Sequence, residues 1–147
     1  MKINGLKNLL NSLQASISAI NYTEMIIDDS QMVKFMQNIS KDENLLLFCL
    51  IPDYNSQGTT NAVQTITVVQ MLVFKKSYDS IEHDQFINDM QEVEQAAFKI
   101  KDFLVDARDN DCDFRFFKES EWQMSPIWNM ASCNGYSINF NLPHNDE

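Results

Sequence analysis

Leu45-Leu46-Leu47-Phe48-Cys49-Leu50-Ile51, halted by Pro52, is the stretch on which the fold turns. Seven consecutive apolar residues are too few for an independent helix and suit a strand covered on both faces. Pro52 stops the run because it has no N–H to offer a ladder. Next, Asp53 to Thr60, with Asn55, Ser56 and Gly58, reads as a polar loop. Ala62–Lys75 is rich in Val, Ile and Thr, which favour strand. Its face of Ile66, Val68, Leu72 and Phe74 is more apolar than the one bearing Thr65 and Thr67. The two apolar runs are expected to pair as an antiparallel hairpin.

Upstream, Ile3, Leu6, Leu10, Leu13, Ile17 and Ile20 recur at helical spacing opposite Lys7, Asn8, Asn11 and Ser18, predicting a helix from Lys2 to Ile20. Such a stripe packs on its own domain or on a partner. Tyr22–Ile27 is β-prone and leads to Asp28 and Asp29, both good N-caps for a short helix whose face is Met32, Phe35, Met36 and Ile39. Downstream, Ile81, Phe86, Met90, Val93, Ala97, Ile100, Leu104 and Ala107 predict a long helix from Ser80, its N-cap, to Arg108, with Asp109-Asn110-Asp111 ending it. Asp113–Gln123 then reads as a strand with Phe114 and Phe116 on one face and Arg115 and Phe117 on the other; Met124-Ser125-Pro126 interrupts it. Asn134-Gly135 is the best turn signal in the chain. Tyr136, Ile138, Phe140 and Leu142 alternate with Ser137, Asn139 and Asn141 as a half-buried strand that Pro143 ends, leaving 144–147 as a flexible tail. The expected fold is one α+β domain over 1–147. It has a four-stranded, mostly antiparallel sheet, with one long helix and the N-terminal helices packed on it.

A chain of 147 residues can bury a self-sufficient core. Its 11 Lys+Arg against 21 Asp+Glu give a net charge of −10, which repels phosphate backbones and anionic lipid. Only 3 glycines are present, too few for glycine-rich phosphate loops. Cys49, Cys112 and Cys133 form no CxxC and are odd in number, which argues against a disulfide framework and for a reducing, cytoplasmic compartment. Neither His83 nor His144 stands at zinc-ligand spacing from a cysteine. Lys2 precedes a leucine-rich stretch, but Asn8, Asn11, Ser12 and Gln14 break any secretory h-region, and no run reaches a membrane span. The sequons at Asn21-Tyr22-Thr23 and Asn38-Ile39-Ser40 are then idle.

No catalytic motif emerges. The carboxylates Glu82, Asp84, Asp89, Glu92, Glu94, Asp102 and Asp106 fall on the polar side of the long helix and read as a solvated acidic face. Glu82-His83-Asp84 has acid–base residue types, but neighbours on a helix point in different directions. Neither enzymatic activity, a cofactor, a metal nor a small-molecule substrate is expected. Aromatics gather late, and they build either a two-sided core or an interface. Phe117, Trp122 and Trp128 are the candidate interface residues.

The order of elements resembles that of small phage and prophage tail-completion proteins, the tail-terminator-like group. Tyr22–Ile27 with its Asp-capped helix, Leu45–Ile51 before Pro52, Ala62–Lys75, Ile81–Arg108 and the closing Gly135-Tyr136-Ser137-Ile138-Asn139-Phe140 carry the resemblance. It implies a non-enzymatic subunit that forms a ring on a tail tube, with self-association or tail components as partners and a tail particle as its location. The family has no catalytic motif to transfer. An acidic adaptor or immunity-type protein that binds one basic protein is the alternative, drawn from the charge. The same charge predicts that random duplex DNA is not bound. A gel-shift or filter assay at physiological salt should show no retention at micromolar protein, and salt-sensitive retention would contradict the electrostatic reading.

Overall fold

The structure is a computed structural model that describes residues 1–37, 39, 45–77 and 81–145. Its order is α1 (Ile3–Ser16), β1 (Ile20–Ile26), α2 (Asp29–Met36), β2 (Leu45–Leu50), β3 (Asp53–Thr59), β4 (Ala62–Lys76), α3 (His83–Asn110), two single 3-10 turns, β5 (Gln123–Met130) and β6 (Cys133–Asn145). The sheet is mixed and six-stranded, ordered β1-β2-β4-β6-β5, with β3 also on β4. It thus has two strands more than the four expected from the sequence. The α+β class holds, and α3 is the longest helix.

β2 is buried on both faces, as its uninterrupted apolar run requires. It pairs parallel with β1 and antiparallel with the second half of β4. β3 lies on that same edge of β4, end to end with β2. From Cys49 to Asp53 is four residues, but their partners Met71 and Val68 are three apart, so one residue is extra at the Ile51-Pro52 corner. The Asp53–Thr60 stretch is therefore a strand rather than a loop over Asp53–Thr59. A seven-residue ladder, from Asp53↔Val68 to Thr59↔Ala62, overrides its weak propensity.

Helices cover both faces. Leu6, Leu9, Leu10 and Leu13 of α1 and Val93, Ala96, Ala97, Ile100 and Leu104 of α3 pack on Leu47, Val69, Met71, Val73, Ile138 and Phe140. Met32 and Met36 of α2 pack on the opposite face with Leu46, Phe48, Leu72 and Phe74, so the N-terminal helices do not share one side as expected. Thr67, on the α1 side, is buried, and its Oγ1 accepts from the Met1 amino group at 2.7 Å. α1 stops at Ser16 rather than Ile20 because Ile20 is taken into β1 opposite Leu45, and Ile17 stays buried without helix. At α2, Asp28 accepts from the Gln31 amide and the Gln31 side chain accepts from the Ile27 amide, a variant of the capping box. At its other end, Lys76 Nζ donates to the Met36 and Ile39 carbonyls. Glu82 occupies the N-cap position of α3 without a side-chain bond; the expected cap Ser80 lies outside the described residues, as do Asn38 and Ser40 of the second sequon.

The Asp113–Gln123 stretch is not a strand. Asp111 accepts from the Asp113 amide, and the 3-10 turns Cys112–Phe114 and Glu119–Glu121 follow. Phe114 and Phe117 both enter the core, three residues apart as one 3-10 turn demands, while Arg115 covers the Phe116 ring at 4.6 Å. Met124-Ser125-Pro126 lies inside β5, and Pro126 is tolerated because β5 is an edge strand. Pro143 likewise sits within β6 opposite Ile66, where β6 has run past its last β5 partner at Asn139, and the strand continues through His144 to Asn145. Residues 146–147 lie outside the described residues.

Asn134-Gly135 is not the turn either. The β5–β6 hairpin turns at Ala131-Ser132, where φ is 49° and 62°, the left-handed pair a two-residue hairpin turn needs. Asn129, at φ 54°, makes a bulge before it, held by its amide donating to the Asn134 side chain. Gly135 lies in β6 opposite Phe74, where a Cβ would meet the Val73 carbonyl and the Phe74 ring. Left-handed backbone costs an L-residue such as Ala about 1–2 kcal/mol. Combining Ala131→Asn with Ser132→Gly should therefore raise unfolding stability by about 1 kcal/mol, read from the denaturant midpoint. A lowered midpoint would contradict this turn.

Candidate interaction surface

The three candidate aromatics occupy different environments. Phe117 is 2% exposed. It stands edge-on to Phe140 (ring centroids 5.7 Å apart) and to Trp122 (6.4 Å), and Trp122 stacks on Phe140 at 5.7 Å. This trio closes the α3 side of the sheet, and the buried Trp122 indole N–H has no hydrogen-bond partner among the described residues. Trp128, by contrast, is 76% exposed. It stands on β5 one residue before Asn129, so the left-handed bulge and turn set the backbone that carries it.

The acidic side of α3 is mixed. Glu82, Asp84, Glu92, Asp102 and Asp106 are exposed. Asp89 is buried instead, because it accepts from Lys75 of β4 at 3.1 Å and from Gln85 at 2.9 Å; Lys75 also reaches Glu92 at 2.8 Å. Burial works against the Lys75 ammonium, but the hydrogen bonds and charges of Glu92 and Asp89 together raise its pKa above the ordinary lysine value. The group is a clasp between α3 and β4. His83 is exposed and stacks on Phe86 at 6.0 Å. Among the described residues no three His, Cys, Asp or Glu converge to hold a metal ion, and no helix is long and apolar enough to cross a membrane.

The sheet margins carry features that composition hides. At β1, the Asn21 carbonyl accepts from the Gln14 side chain, and the Met25 amide donates to the Glu24 carboxylate. At β5, Pro126 opposite Tyr136 has no N–H for the ladder, so its ring nitrogen faces the outer edge. Pro143 does the same where β6 overhangs β5. β3 has none of these devices, and every residue from Asp53 to Thr59 is exposed. Reading this stretch as a loop concealed that edge; its Tyr54-x-Ser56-x-Gly58 alternation was a weak available signal.

No protein-family model matches the chain, and no curated protein sequence matches it.

All three cysteines are free: Cys49 and Cys133 are buried and Cys112 is exposed. Burial pushes the Cys49 thiol up to about 12, and the Cys133 thiol likewise to about 12 against a small opposing pull from Lys76. The native protein should thus titrate about one thiol with a neutral-pH reagent and about three after denaturation. Between pH ~9 and ~12 the unfolded chain releases thiol protons that the folded chain keeps, so stability should fall by about 1.4 kcal/mol per thiol per pH unit. Rapid native labelling of all three thiols would contradict this placement.

Proposed function

We propose that the protein is a non-enzymatic assembly subunit acting through protein–protein contacts, in the manner of the tail-terminator-like proteins its layout resembles. Its partners are then copies of itself in a ring, or tail components. The observation that carries the reading is Trp128: a large aromatic, 76% exposed, on a strained hairpin. Strained left-handed residues persist where the surroundings hold them, often at ligand clamps, and Trp is among the residues enriched at binding hot spots. Ile127, Met130 and Ala131 anchor that hairpin on the α2-side core.

The exposed carboxylates of α3 and the net charge of −10 favour a second reading, an acidic adaptor for one basic protein. The two readings separate by salt. Adaptor binding should weaken steeply with ionic strength, whereas a contact centred on Trp128 should not.

Replacing Trp128 by Ala should weaken assembly by ~2 kcal/mol or more while leaving thermal stability unchanged. Mass determination across concentration, with crosslinking to neighbouring gene products, reads the first effect; calorimetry reads the second. Trp122→Ala is the comparator and should instead lose about 3–5 kcal/mol of folding stability. A Trp128→Ala variant that assembles like the wild type would contradict the proposal.

A further inference from the structure

From the open margin of the sheet we infer that β3 pairs, antiparallel and about a two-fold axis through Ser56, with β3 of a second copy. The inference rests on the assembly reading and adds to it a two-fold contact at β3, separate from the contact centred on Trp128. Unpaired strand edges are templates for pairing, and proteins blunt them with charge, proline or covering side chains. In this sheet Gln14 and Glu24 cap β1, Pro126 blunts β5, and Pro143 blunts the overhang of β6. β3 is left open. Its only charged residue is Asp53, so the repulsion between two chains of net charge −10 is small along this strip.

The register follows from backbone chemistry. Thr59 and Ala62 face each other across a two-residue turn, so they exchange ladder hydrogen bonds with each other. Counting back by twos, Gln57, Asn55 and Asp53 also turn their backbone groups toward β4. Tyr54, Ser56 and Gly58 therefore point theirs outward. An antiparallel copy centred on Ser56 sets Ser56 opposite Ser56 and Tyr54 opposite Gly58, so all three outward residues meet outward residues. Every outward N–H and C=O is then satisfied, no like charges lie opposite each other, and each Tyr54 ring, 46% exposed, covers a glycine. The contact is isologous and closes as a dimer. A single strand pair is small beside the ~1,200–2,000 Å² of stable interfaces, so the association is reversible and concentration-dependent.

The test uses the full chain with Cys112→Ser to remove the exposed native thiol. In that background Ser56→Cys should give a covalent dimer under mild oxidation, because hydrogen-bonded partners stand ~5.5 Å apart at Cα, within disulfide reach. Asn55→Cys, two positions out of register with its own copy, should not. Ser56→Pro removes only an outward N–H, so it should lower the self-association constant at least tenfold with the circular dichroism and melting temperature unchanged. A wild-type chain that stays monomeric at the highest attainable concentration, or equal crosslinking at 55 and 56, would overturn the inference. So would β3 amides that become protected only when a different protein is added. Undiminished self-association by Ser56→Pro, with loss in Trp128→Ala, would overturn the β3 pairing yet leave the assembly reading standing.

Discussion

β4 is the constraint on which the rest of the structure depends. Its fifteen residues carry β6 along one edge from Gln64↔Asn145 to Lys76↔Cys133 without a register shift. Along the other edge they carry β3 and β2 in tandem. Register in a sheet fixes which face each side chain enters. The alternation of β4 therefore assigns Thr67, Val69, Met71 and Val73 to the layer under α1 and α3, and Leu72 and Phe74 to the layer under α2. Its last two residues act as fasteners, Lys75 to Asp89 and Glu92 of α3, and Lys76 to the end of α2. Both helical layers are thus tied to one strand.

On the proposed reading, that arrangement places recognition at the margins. The buried carboxylate Asp89 is spent on Lys75, and among the described residues no three His, Cys, Asp or Glu converge to hold a metal ion. What stays available to another molecule is an exposed Trp128, an acidic strip on α3 and the unblunted edge of β3. The half of the lower sheet face that α2 does not cover is amide-rich, with Gln70 and Asn139 both bonded to Ser137 Oγ at 3.4 Å.

Elements whose information is local were legible in the sequence. The all-apolar β2, the stripe of α3, the Asp28 cap and the alternation of β6 each depend on residues within a few positions, and each stands where its pattern placed it. Features that depend on a distant partner were not. Asp53–Thr59 is polar in sequence and becomes a strand because β4 lies beside it. Asn134-Gly135 carries turn chemistry, but its glycine serves close approach to Val73 and its asparagine braces Asn129. Phe114 and Phe116 against Arg115 and Phe117 read as the two faces of a strand, while the three-residue spacing of Phe114 and Phe117 fits a 3-10 turn against the core equally well. Of the candidate anchors, only exposure separates Trp128 from Trp122, and exposure is a property of the fold.

Amide hydrogen exchange, followed residue by residue in dilute and in concentrated protein, tests most directly a rigid β4 spine with one edge left open to a second copy. The amides of Val69, Met71 and Val73 should be among the slowest at both concentrations. Those of Tyr54, Ser56 and Gly58 should exchange fast when dilute and slow when concentrated, while Asn55 and Gln57 change little. Fast exchange along β4, or outward β3 amides that ignore concentration, would contradict the account.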